Sequence, residues 1–153
     1  MNDKNYTIWP AAQGAAEGEK TRANAEMEGY ARTTGWLVSV SGPEKGRDYR
    51  LGAGQNSIGR GYERDVVIYE DREITREAHA YVIYDDRTVS FYLKPGIGTA
   101  VYMAEDGGEQ FVRDTVPLRD GAKIRIGETE LVFVAFCRPD RNWNEPKEVE
   151  EEQ

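Results

Sequence analysis

The chain of 153 residues has one cysteine, one histidine and no apolar run approaching the length of a membrane span. A lone Cys137 cannot form an internal disulfide and fits a reducing compartment. With His79 as the one imidazole and no thiols clustered beside it, a metal site has no ligand set. The opening MNDKNYTIWP lacks the basic start and apolar stretch of a secretory leader, so a cytoplasmic protein without membrane contact is expected. Basic charge is also short: 20 Lys and Arg stand against 28 Asp and Glu, a formal net charge of −8. A nucleic-acid partner, which asks for a basic face, is therefore not expected. Nor is there a paired nucleophile and base, or two carboxylates with reason to titrate differently. The expectation is a protein that is not an enzyme and needs no cofactor.

What is present is unevenly spread. Residues 1–34 are dominated by Ala, Gly and Glu and read as a mostly disordered tail, with at most a fraying helix around Thr21–Met27. Residues 138–153 hold six acidic against three basic residues and read as an acidic C-terminal tail, from which Trp143 is equipped to fold back. Residues 35–137 between them carry nearly all the β-branched and aromatic side chains.

In that middle stretch the pattern has period two. Trp36, Val38 and Val40 alternate with Leu37, Ser39 and Ser41, Val89, Phe91 and Leu93 with Ser90, Tyr92 and Lys94, and Ile124 and Ile126 with Lys123 and Arg125. This is the periodicity of half-buried strands. Turn formers punctuate it at Ser41-Gly42-Pro43, Gly52-Ala53-Gly54, Asp85-Asp86, Pro95-Gly96 and Asp120-Gly121. Short strands at such spacing predict an all-β sandwich or barrel.

The segment NSIGRGYERDVVIYEDREITREAHAYV, residues 56–82, gathers Arg60, Thr75 and Arg76 at strand ends. An arginine, a hydroxyl and exposed backbone N–H groups on loops held by a rigid sheet are what an anion requires. Each residue alone reads as ordinary surface charge or a turn hydroxyl; their joint placement points to a site. Arg64 and Arg72 stay open between ligand contact and plain solvated charge. Asp71 is expected to fix the loop, because a carboxylate would repel an anion.

SIGR at 57–60, DVVI at 65–68, ITREAHA at 74–80, Gly98-Thr99 and LRDGAKIRIGETELVF at 118–133 follow one another in a specific order and spacing. Across residues 35–136 the chain resembles a forkhead-associated (FHA) domain of the small stand-alone bacterial type. The resemblance implies a β-sandwich of two antiparallel sheets with about 10–11 strands, flanked by flexible tails. It also implies phosphothreonine-dependent binding in bacterial Ser/Thr kinase signalling. Arg60 would reach the phosphate, Thr75 would contact it through hydroxyl and backbone N–H, and Arg76 would add a further contact. Gly59, His79, Gly98 and Thr99 would support the site, with His79 bracing the loops rather than touching ligand. The chemistry agrees, since a phosphothreonine brings a charge of about −1.5 to −2 and three acceptor oxygens.

Two departures from the family pattern stand out. Thr75-Arg76-Glu77-Ala78-His79 is one residue longer than the usual Ser-Arg-x-His, so the loop must take up the extra residue if the following strand is to keep its phase. Where the family carries an Asn that pins the ligand backbone, KPGIGTAV offers Ile97 or Gly98, a lost hydrogen bond worth on the order of 1 kcal/mol. Both leave room for a second reading, a scaffold of the same fold that binds without phosphate. The partner on the first reading is a phosphothreonine protein or the chain's own phosphorylated tail, with Thr21 the candidate phosphosite. Roughly 14 residues from Thr21 to Gly35 span at most about 46 Å, enough to reach any face of the domain.

Overall fold

The alternation in the sequence becomes eleven short strands among the described residues. They are β1 (Gly35–Ser41), β2 (Asp48–Leu51), β3 (Gly54–Gly59), β4 (Val66–Val67), β5 (Ala80–Asp85), β6 (Ser90–Pro95), β7 (Tyr102–Ala104), β8 (Glu109–Phe111), β9 (Val116–Pro117), β10 (Lys123–Ile126) and β11 (Thr129–Ala135). The structure, a computed structural model, describes residues 31–104 and 107–146. The candidate phosphosite Thr21, the helix considered around it and the terminal glutamate run lie outside the described residues.

Two sheets form a sandwich. One has the order β2-β1-β11-β10-β7-β8 and the other β4-β3-β5-β6-β9. Every pairing is antiparallel except β3 with β4, which run parallel through Ile58↔Val66 and Gly59↔Val67. The inward residues of both sheets make the core, with Leu37, Ile58, Val82, Leu93, Ile124, Leu131 and Phe133 fully buried. Phe91 of β6 meets Phe133 of β11 edge to face at 4.7 Å, which ties the sheets together through their aromatic side chains.

In β1 the buried phase is Leu37 and Ser39, while Trp36 and Val38 lie on the opposite face, only partly exposed. That face is covered from the other end of the chain. Phe136 sits edge-on to Trp36 at 6.1 Å, Trp143 stacks on Phe136 at 5.4 Å, and the Trp143 indole N–H donates to the Thr33 carbonyl at 2.7 Å. β1 is therefore apolar on both faces for two different reasons, and its alternation alone does not show which face is the core.

The site region follows from the β3–β5 pairing, which runs without a slip from Ile58↔Ala80 to Gly54↔Tyr84. Arg60, leaving β3, is thereby brought beside the loop that ends in His79. The extra residue between Thr75 and His79 is absorbed in that loop before β5 begins, where the Thr75 hydroxyl donates to the Glu77 carbonyl at 2.9 Å. β5 keeps its alternating burial.

Candidate anion-binding site

Three loops meet at one end of the sandwich: 60–65 between β3 and β4, 68–79 between β4 and β5, and 96–101 between β6 and β7. The first two are stitched by backbone bonds, Arg60 N–H to the Thr75 carbonyl at 2.8 Å and Gly61 N–H to the Arg76 carbonyl at 3.1 Å. Their approach is close enough that a Cβ on Gly59 would overlap the Glu77 carbonyl and press on the Arg64 side chain. A residue without a side chain is required there.

His79, almost fully buried, joins the third loop to the other two. Its ring bonds the Thr75 N–H at 3.1 Å and the Ala100 carbonyl at 3.0 Å. Its own carbonyl accepts from Gly96 N–H at 2.9 Å and from the Thr99 hydroxyl at 2.8 Å. Gly98, at φ 71°, supplies the left-handed turn that brings Thr99 back to this contact.

The loops carry an open cleft of ≈ 380 Å³ lined by Arg60, Tyr69, Glu70, Arg72 and Arg76. Arg60 is aimed by its own Nε, which donates to the Ile74 carbonyl at 3.0 Å, while its two terminal nitrogens have no hydrogen bond among the described residues. None of the three guanidiniums has an ion-pair partner among the described residues. Three arginines without an ion-pair partner among the described residues, around one hollow, make a local cationic surface on an acidic chain. Glu70 is the single carboxylate lining it among the described residues.

Buried carboxylates hold the loop frame from behind. Asp71 accepts from Glu73 N–H at 3.0 Å, from Glu128 N–H at 2.8 Å and from the Thr129 hydroxyl at 2.6 Å, so it fixes the loop to the β10–β11 turn and does not face the cleft. Glu44, from the β1–β2 connection, accepts the Tyr49 hydroxyl at 2.6 Å and Arg47 at 3.1 Å, while its other oxygen takes Glu70 N–H at 2.9 Å. Ser57 and Asp65 close the base of the β3–β4 loop, with both the N–H and the hydroxyl of Ser57 bonded to Asp65.

Of the residues singled out in the sequence, Arg60 and Arg76 line the cleft together. Thr75 is adjacent through its backbone but is not among the lining side chains, and both of its donors are engaged internally, the N–H to His79 and the hydroxyl to Glu77. Arg72, left open by the sequence, lines the cleft; Arg64 does not, and its Nε is buried without a hydrogen-bond partner. Ile97, at the tip of the third loop, is fully exposed. Sequence reasoning missed Tyr69, Glu70 and Glu44. Tyr69 directly follows the β4 run and could have been suspected as an aromatic at a strand end, but Glu44 carries no local signal. Among the described residues no three His, Cys, Asp or Glu side chains are grouped to hold a metal ion.

This architecture recurs in solved structures. An FHA domain from work on phosphothreonine-dependent FHA interactions superposes with a TM-score of 0.52 at 23% identity, over 67% of this chain and 96% of that one. The chain folds as an FHA domain. The FHA domain of the CT664 protein from Chlamydia trachomatis matches with a TM-score of 0.56 at 19% identity, over 68% of this chain and 99% of its own. Mycobacterium tuberculosis EmbR, solved in complex with a low-affinity phosphopeptide, matches with a TM-score of 0.54 at 21% identity; 77% of this chain is covered but 30% of that longer one. No family model and no curated protein sequence matches the chain.

Proposed function

We propose that this FHA domain is a phosphothreonine-dependent peptide-binding module without catalytic activity. The observation that carries the reading is the preset Arg60 guanidinium, held by the Ile74 carbonyl and opening onto a cleft shared with Arg72 and Arg76. A dianionic ester with three acceptor oxygens is the ligand such donors suit, and charge-assisted bonds are the strong kind. The phosphopeptide and phosphothreonine associations of similar FHA structures support the same reading.

Binding on this reading begins with Arg60 and Arg76, which need no rearrangement of a partner. Thr75 joins when its hydroxyl rotates from the Glu77 carbonyl to a phosphate oxygen, exchanging one hydrogen bond for a charge-assisted one. The Thr75 N–H remains with His79. A Ser/Thr kinase stands upstream in bacterial signalling, in the cytoplasm, and phosphorylated Thr21 is a ligand in cis at an effective concentration on the order of millimolar. Phosphosite mapping after kinase treatment tests that last step.

The second reading, a phosphate-independent scaffold, is favoured by two observations. Both Thr75 donors are satisfied within the domain, and Ile97 or Gly98 occupies the place of the ligand-pinning Asn. Calorimetry with a degenerate phosphothreonine library, its unphosphorylated twin and Arg60→Ala separates the two. Binding that survives phosphatase and Arg60→Ala selects the scaffold.

A further inference from the structure

Beside its arginines the cleft has an aromatic lining residue, Tyr69, and Tyr69 is one half of an exposed ring pair. Tyr62, on the β3–β4 loop, and Tyr69, just after β4, stack with ring centroids 5.3 Å apart and planes 12° from parallel. The pairing follows from the parallel β3–β4 ladder: Ile68 N–H donates to the Gly59 carbonyl at 2.9 Å, so the two strands release their next residues side by side. Both rings face solvent, at 74% and 51% exposure. Ile97, on the third loop, is exposed at 102%. These are the three most exposed large hydrophobic residues described, and all three sit on the loops that His79 and the backbone stitches hold together.

Such exposure has no structural use for the domain itself. The core is complete without these side chains, and a solvated Tyr–Tyr stack leaves much of its apolar area in water. Tyr69 lines the same cleft as the three arginines. The Tyr62 phenol is pushed up from its ordinary value by desolvation and by Tyr69, while the charge of Arg76 pulls it the other way, which puts Arg76 within electrostatic reach of the stack.

We infer that the stacked Tyr62–Tyr69 pair is a specificity ledge that receives a large apolar side chain flanking the phosphothreonine of the bound peptide. The inference rests on the phosphothreonine reading of the cleft. Charge selects the occupant. A cationic side chain would suit an electron-rich ring face, but Arg60, Arg72 and Arg76 line the same cleft as Tyr69 and repel it. A carboxylate gains nothing from ring faces and is drawn instead to the arginines in the cleft. An aromatic or branched aliphatic side chain covers the ledge and removes apolar area from water on both partners. Successive residues of an extended peptide advance about 3.3–3.6 Å each, so a residue within a few positions of the phosphate reaches a ring pair that adjoins the cleft.

The test is fluorescence anisotropy on the full chain with phosphothreonine peptides whose flanking positions carry, in turn, Leu, Phe, Ala, Asp or Lys. The readout is the affinity ratio of apolar-flanked to alanine-flanked peptide. At one or two positions this ratio should be roughly five- to tenfold for the wild type. It should collapse to near one in the Tyr62→Ala/Tyr69→Ala double variant and persist in Tyr62→Phe/Tyr69→Phe, which keeps the rings. Both changes are at exposed positions, and circular dichroism checks that the variants remain folded. A flat ratio in the wild type, or an undiminished one in the alanine double variant, overturns the ledge while phosphate-dependent binding stands. If no peptide binds better phosphorylated than unphosphorylated, the phosphothreonine reading fails and the ledge falls with it.

Discussion

The backbone N–H of Thr75 donates to Nδ1 of His79 at 3.1 Å, which assigns the tautomer of the ring. Nδ1 must be bare, so the proton is on Nε2, where it meets the Ala100 carbonyl at 3.0 Å. The imidazole is a strut between the β4–β5 and β6–β7 loops. His79→Ala removes both bonds and a buried ring, and should cost about 2–3 kcal/mol in urea denaturation. Hydrogen exchange at the Thr75 amide should quicken in the same variant; an unchanged rate would mean that the ring does not hold the loop.

Arg60→Lys is a sharper probe than Arg60→Ala. Lysine keeps the charge but has no Nε–H to donate to the Ile74 carbonyl and no planar fork for a phosphate. Both substitutions should weaken phosphothreonine-peptide binding roughly 10- to 100-fold by calorimetry, with thermal stability nearly unaltered. If lysine retains full affinity, the geometry of the guanidinium is immaterial and net charge alone suffices.

Among the described residues Asp71 makes three hydrogen bonds and touches no cation, although it lies in a loop full of arginines. Asp71→Asn turns one acceptor into a donor that faces N–H and O–H groups, and should cost about 2–3 kcal/mol of stability. Thr129→Val removes only one of the three partners and should cost less. Since the two residues share a bond at 2.6 Å, the double variant should fall short of additivity by about 1 kcal/mol in a thermodynamic cycle.

Alkaline stability reports on the Glu44 brace. Burial first, then the hydrogen bond and charge of Glu44, push the Tyr49 phenol well above its ordinary value of 10.0. The folded state therefore holds a proton that the unfolded state releases. Stability from this group is fully present below the ordinary phenol value and is lost as pH rises beyond it. Tyr49→Phe should cost about 1 kcal/mol at neutral pH and show a shallower alkaline decline. An identical decline in wild type and variant would show that another group governs it.

The strands were legible because alternation survives wherever one sheet face is buried, as in β5, β6 and β10. β1 hid its phase, since Trp36 meets Phe136, itself backed by Trp143, contacts that no local window contains. Arg60 and Arg76 could be read from a motif whose order tracks two adjacent strand ends. Which neighbouring charges join them depends on the path of 68–75, so Arg72 and Arg64 parted company only once that path was known. The commitment of both Thr75 donors likewise depends on how one additional loop residue is folded. Glu44 acts on Glu70 across 26 positions of sequence, a distance at which periodicity and motif carry no information.

The pairing of Gly35 with Ala135, followed by the Thr34 carbonyl accepting from both Phe136 and Cys137, brings the domain's first and last strands to a common doorway. Entry and exit there are one strand spacing apart, about 5 Å. The module is thus shaped like a plug-in cartridge: it could be spliced into a host protein's surface turn with almost no spacer.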